Sequence, residues 1–205
     1  MNHIAHVLAG LLFGCASFAA CETPAPTAPP VDNQQLTALY EADQAERTGA
    51  IADWSIVAQN DRDRRARVQA MRDADSLHTA NDFYHAAMIF QHGEDQQAYE
   101  QALELALKSV ALDSTHAEAR WLVAAATDRY LLSRKRPQVY GTQFVIYMNQ
   151  WYLQKIDTTG ASDDARRRLG ARTLDETRAF LTEQNGAYRG LNIVPDSILV
   201  ALGIP

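Results

Sequence analysis

The chain has 205 residues, of which 47% are hydrophobic and 21% charged, with a formal net charge of −6 and a pI near 5.5. This composition suits one globular domain or two small ones and excludes a collagenous or broadly disordered chain. The acidic balance removes the electrostatic basis for nucleic-acid binding, and both cysteines, Cys15 and Cys21, precede the body, so the body holds no disulfide and no thiolate metal site.

Residues 1–21 contain no Asp, Glu, Lys or Arg. The apolar stretch Ile4 to Ala20 ends in small residues, as an export signal does. Phe18-Ala19-Ala20-Cys21 resembles a bacterial lipobox, in which the cysteine is lipidated and becomes the new N-terminus, so Cys21 is the expected lipidation site. The departures are Phe18 in place of the usual Leu and an n-region without Lys or Arg. A cleaved soluble form and an uncleaved membrane anchor are the alternatives. Residues 22–32, with four prolines between Glu22 and Pro30, read as an extended tether. The expected location is the bacterial envelope, on the periplasmic side of the outer membrane, with the membrane itself as a partner through the lipid.

From residue 33 to 205 one helical domain is expected. Leu36, Leu39 and Tyr40 fall at helical spacing in a first helix that ends near Thr48-Gly49. A second helix runs from Asn60 as cap to Met71, with Arg62, Arg64, Arg65, Arg67 and Arg72 mostly on a solvated face, ion-paired with the alternating Asp61, Asp63 and Asp73, a basic binding patch being the alternative. The next helix starts at Asn81 or Asp82, carries Phe83, Ala86, Ala87 and Phe90 on one stripe, and stops at Gly93. Its partner, about Asp95 to Leu112, puts Ala98, Ala102, Leu105, Ala106 and Ser109 on one face, where small residues let axes approach closely. Thr115 and Glu118 form a capping box for a helix to about Ser133. The fold class is therefore mainly α, with repeat-like, tetratricopeptide-like antiparallel helix pairs, although no clean 34-residue self-similarity is present.

After Pro137 the segment Tyr140 to Ile156 is rich in β-branched and aromatic residues and reads as one small β-hairpin turning at Met148-Asn149-Gln150. Ser162 caps a short helix to Leu169, and Thr173 with Glu176 caps another to about Glu183. The apolar tail Leu191 to Pro205 is expected to dock on the body, a partner-binding tail being the alternative.

Polar residues on apolar stripes point to sites. His85 and His92 share a stripe with Met88 and Ile89 but lie about 10.5 Å apart along the axis, too far to ligate one metal together. No metal and no cofactor is expected. Asp128 has Trp121, Ala124, Ala125 and Leu132 as helical neighbours, so its carboxylate needs a partner: Arg129, Arg120 or a histidine of the preceding hairpin. A structural hydrogen-bond network and a site in which Asp128 polarises His92 or a ligand are both open. Gln138 and the run Tyr140-Gly141-Thr142-Gln143 supply amide donors and acceptors beside a flexible glycine. Neither a phosphate-binding glycine loop nor a nucleophile elbow occurs.

Gln91-His92 with Asp95, then Asp128-Arg129, then Gln138 and Tyr140-Gly141-Thr142-Gln143 resemble the ordered QH-x-D, DR and YGTQ motifs of an uncharacterised bacterial domain-of-unknown-function family. Ile156-Asp157, Asp164, Arg167 and Leu169-Gly170 fit its tail pattern, so the resemblance spans about Leu39 to Leu181. Gly93-Glu94 stands where many members have one residue. The resemblance implies positions, not a reaction: Gln91, His92, Asp95, Asp128, Arg129, Gln138, Tyr140, Gly141, Thr142 and Gln143 are the ligand-binding candidates. The leading expectation is an envelope lipoprotein that binds a protein, peptide or ligand and is not an enzyme. The alternatives are a hydrolase-type enzyme using His92 as base oriented by Asp128, and an immunity or stress-accessory lipoprotein.

Overall fold

The computed structural model describes residues 29–48, 53–186 and 190–204. The expected signal segment, Cys21 and most of the tether lie outside the described residues, as do Gly49 and Pro205. Five helices come first: α1 (Gln34–Ala45), α2 (Trp54–Asp73), α3 (Ala80–Gln91), α4 (Gln96–Leu112) and α5 (Ala117–Ser133). A hairpin of β1 (Phe144–Tyr147) and β2 (Gln150–Leu153) follows, then α6 (Asp163–Arg168), α7 (Leu174–Asn185) and α8 (Asp196–Ala201). The chain is mainly helical with one small antiparallel hairpin, and its helix pairs pack in a repeat-like way.

The α3–α4 and α4–α5 pairs form the densest packing, joined by short connections that force antiparallel neighbours. Their seam is built from small residues: Ala86 and Ala87, Ala98, Ala102 and Ala106, and Ala125 and Ala126 are all buried, with Leu105 and Leu122 filling between them. The spacing read from α4 holds residue for residue, since Ala98, Ala102, Leu105, Ala106 and Ser109 are its buried face. Ser109 is reconciled with burial by donating its hydroxyl to the carbonyl of Ala80 at 2.7 Å. At the α3–α4 corner Gly93 has no room for a side chain, because a Cβ there would stand 2.1 Å from Cβ of Ala98.

Helix starts correct several boundaries. The second helix begins two turns before Asn60, where Asp53 accepts the N–H of Ser55, and Asn60 lies inside it, donating to Glu46. Thr79, not Asn81 or Asp82, caps α3, with Asp82 completing the box from position N3. His116, not Thr115, caps α5, because Thr115 is held by Asp113 through both its N–H and its hydroxyl. The solvated arginine face also needs correction. Arg62 and Arg67 are exposed, but Arg64 and Asp61 are buried against each other, 2.9 Å apart. Asp32, counted in the tether, is already part of the body, accepting from Thr79 and Asn81.

The hairpin turns on two residues, Met148 and Asn149, both at positive φ (47° and 60°), so Gln150 already belongs to β2. Phe144, Trp151 and Phe180 make edge-on ring contacts that dock the hairpin on α7. Asn185 clamps the backbone of Trp151 from outside, accepting its N–H and donating to its carbonyl, both at 2.7 Å. The tail docks, as expected, with Val194 and Leu199 buried. It runs beside β2, where Leu153 donates to the carbonyl of Asn192 and accepts from Val194.

Candidate functional site

The motif residues occupy the contact between the end of α3, the start of α4, the middle of α5 and the loop that leads into the hairpin. Asp128 is fully buried on α5. Its partners are none of the side chains expected from sequence. Oδ1 accepts the backbone N–H groups of Val139 (2.8 Å) and Tyr140 (2.9 Å), and Oδ2 accepts the N–H (2.9 Å) and hydroxyl (2.8 Å) of Thr142. One carboxylate therefore moulds the Tyr140-Gly141-Thr142 turn, whose Gly141 takes φ +78° beneath Ile156 and Thr177. Burial pushes the Asp128 carboxyl above its ordinary range, against the pull of the amides of Tyr140, Thr142 and Val139.

Gln138 completes the turn. Its amide donates to the carbonyls of Gln143 and Gln154, each at 3.0 Å, and its oxygen accepts the N–H of Gln143 at 2.9 Å. Both its donors are thus used, and the side chain is a buried clasp between the loop before β1 and Gln154, the residue that follows β2. Sequence reasoning missed a third clasp. Arg166 on α6 is 1% exposed and donates to the carbonyls of Val139 and Ala161. Three arginines in succession at 166–168 look solvated, and only the fold distinguishes the inward one.

His92 lies elsewhere. Its Nδ1 is 2.9 Å from Oδ2 of Asp43 on α1, so the carboxylate that orients it is Asp43, while the four contacts of Asp128 go to the loop. Asp43 is fully buried and belongs to an ion network with Arg47 (3.1 Å), Arg64 (3.6 Å), Asp61 and Glu46. Burial works against ionisation there, but the hydrogen bond and charge of His92 and the charge of Arg47 hold the Asp43 carboxyl below its ordinary range. The other histidine of the stripe, His85, stacks on Tyr40 at 4.2 Å. Among the described residues no three His, Cys, Asp or Glu side chains stand together as a metal site would require.

Arg129 differs from its neighbours. Its NH1 donates to the carbonyl of Gln91 (2.7 Å) and its Nε to Oε1 of Gln143 (3.0 Å), while Tyr99 faces it at 5.8 Å from the ring centre. No described carboxylate pairs with it. Burial pushes its pKa down, with Tyr99 acting in the other direction and Arg47 adding to the fall. Arg129 lines a cavity of about 390 Å³ with Gln96, Tyr99, Gln143, Glu94 and Asp95. The two acids are committed elsewhere: Glu94 faces Arg62 and Asp95 caps α4 through Ala98.

Part of the motif set is thus one connected structure, Gln91 through its carbonyl, Arg129, Gln143, Gln138 and the loop on Asp128, while the side chains of His92 and Asp95 bond outside it. A family model matches residues 30–191, which contain all of it. The chain belongs to DUF6624, a family of unknown function. No curated protein and no solved structure matches it. Within the DUF6624 region, Asp128, Gln138 and Thr142 are spent on the fold, and Arg129, Gln143 and Asp95 are the motif residues that line the cavity.

Proposed function

We propose that this chain is a non-catalytic binding module, held at a bacterial envelope by lipid on Cys21, whose ligand presents an anionic group to Arg129. One observation carries the binding reading. A half-buried guanidinium faces a cavity of ligand size with two neutral acceptors and no counter-ion among the described residues. Burying a cation without a partner is costly, and a bound carboxylate or similar anion would offset that cost through short, charge-assisted hydrogen bonds. Tyr99, Gln96 and Gln143 add polar groups that orient a ligand. Titration with acetate should produce a saturable shift of the Gln143 side-chain amide resonances, beside Arg129 in the cavity, that Arg129→Lys weakens. Absence of any shift sinks the anion reading.

The anchoring proposal rests on the lipobox-like Phe18-Ala19-Ala20-Cys21 after an uncharged apolar segment. Cys21→Ser should move the protein from the membrane to the soluble fraction; a variant that stays membrane-bound and unprocessed favours an uncleaved anchor. No helix among the described residues is long and apolar enough to cross a membrane.

A hydrolase-type reading has one observation in its favour, the imidazole–carboxylate pair of His92 and Asp43. A carboxylate on Nδ1 fixes the tautomer that leaves Nε2 as a base. In that reading Asp43 takes the orienting part first given to Asp128. Ester hydrolysis lost together in His92→Gln and Asp43→Asn, with folding intact, would decide for it.

A further inference from the structure

A second cavity, of about 560 Å³, adjoins the Arg129 cavity and shares Leu132, Gln154 and Ile204 with it as walls. Its character is different. Pro137, Leu199, Val200, Leu132 and Ile204 give it an apolar lining, contributed mainly by α8 and the tail that follows. Val200 is 79% exposed, although the tail has a buried face available at Leu199. A large aliphatic side chain left in water beside a groove is a site for apolar contact. The two cavities therefore present, in order along one surface, a half-buried cation with amide groups and then an aliphatic trough.

We propose that the ligand is a single-chain anionic amphiphile, its carboxylate on Arg129 and its alkyl chain in the trough formed by Leu132, Leu199, Val200 and Ile204. This deepens the binding reading given above and rests on it. Charge complementarity fixes the orientation. Lys135 and Arg136 at the trough are exposed, and Lys155 already pairs with Asp196 at 2.6 Å. Cations in water gain little from an ion partner, whereas Arg129 is half-buried and uncompensated. The carboxylate end is thus drawn inward to Arg129 and the chain lies outward along α8. Ile204, a wall of both chambers, is held by its N–H on the carbonyl of Leu199, so the tail sets where head and chain divide.

The test is calorimetric titration of the full-length chain with butyrate, hexanoate, octanoate and decanoate, and with decanol as the uncharged counterpart. Affinity should rise about fourfold per methylene as each is removed from water. Arg129→Met should weaken decanoate binding about tenfold, the loss of one charged contact, and leave decanol unchanged. Val200→Asp, at an exposed position that folding tolerates, should flatten the chain-length series while short carboxylates still bind. That variant keeps the proposal falsifiable if Arg129→Met does not fold. Carboxylate binding that depends on Arg129 but not on chain length overturns the amphiphile and leaves the anion site standing. No binding at any length removes both readings. Decanoate binding lost in Lys135→Gln but kept in Arg129→Met overturns the orientation.

Discussion

Asp128→Asn tests whether one carboxylate shapes the motif loop. The carboxylate accepts two donors on each oxygen at 2.8–2.9 Å. An asparagine keeps one oxygen, and its amide nitrogen must then face two donors. If the oxygen stays with Val139 and Tyr140, the hydroxyl of Thr142 can rotate to accept, but the Thr142 N–H cannot. One buried N–H is orphaned at about 1–3 kcal/mol, and two charge-assisted bonds are lost at about 1.5–3 kcal/mol each. The easier burial of a neutral group offsets part of this, since burial already pushes the Asp128 carboxyl up. The net expectation is about 2–5 kcal/mol, a fall of roughly 4–20 °C in Tm for a domain of this size. Urea unfolding followed by tryptophan fluorescence reads it, with Trp121 on α5 and Trp151 on β2 as reporters on either side of the clamp. Thr142→Val, which removes the hydroxyl's bond to Asp128 and the one it accepts from the Gln143 amide, should cost about 1–2 kcal/mol. Destabilisation by Asp128→Asn below about 1 kcal/mol refutes the clamp, as does equality with Thr142→Val.

Gly93→Ala should destabilise by about 1–3 kcal/mol, because its Cβ would stand 2.1 Å from Cβ of Ala98; adding Ala98→Gly should recover part of the loss in thermal melts. Arg64→Leu leaves Asp61, Asp43 and Glu46 with less compensation and should cost about 3–5 kcal/mol by chemical denaturation. The Asp43 carboxyl lies below its ordinary range in the folded chain, so its contribution is present above the unfolded pKa of about 3.9 and lost as pH falls through the folded value. Urea midpoints from pH 5 to pH 3 should therefore drop more steeply for the native chain than for Asp43→Asn, and parallel curves would contradict the network. Met148→Asn with Asn149→Gly should stabilise the hairpin by about 1 kcal/mol, since both residues sit at positive φ.

Much of the scaffold was legible in the sequence because its signals are local. The 3.6-residue recurrence of Ala98, Ala102, Leu105, Ala106 and Ser109 marks a buried face within one helix, and Thr173 with Glu176 marks a helix start within four residues. The site was only partly legible. Asp128 was recognisable as a polar residue on an apolar stripe, but its partners are main-chain amides, which no side-chain pattern encodes. Asp43 carries no local mark at all: it stands in a polar stretch of α1, and its partner His92 is 49 residues away. Arg64 was assigned to water for the same reason, since a charge-rich helix such as α2 hides its inward polar face among outward ones.

The outer side of β2 has a consequence for self-association. A strand at the edge of a two-stranded sheet ordinarily offers a row of free N–H and C=O groups to any extended chain it meets. Here Trp151 gives its N–H and carbonyl to Asn185, with Asn192 donating to the same carbonyl, and Leu153 spends both of its groups on Asn192 and Val194. Two asparagine side chains and a passing tail thus close the border that an added strand would need. Proteolysis near Asn192 would reopen it at Leu153, turning a sealed margin into a template for intermolecular β-pairing.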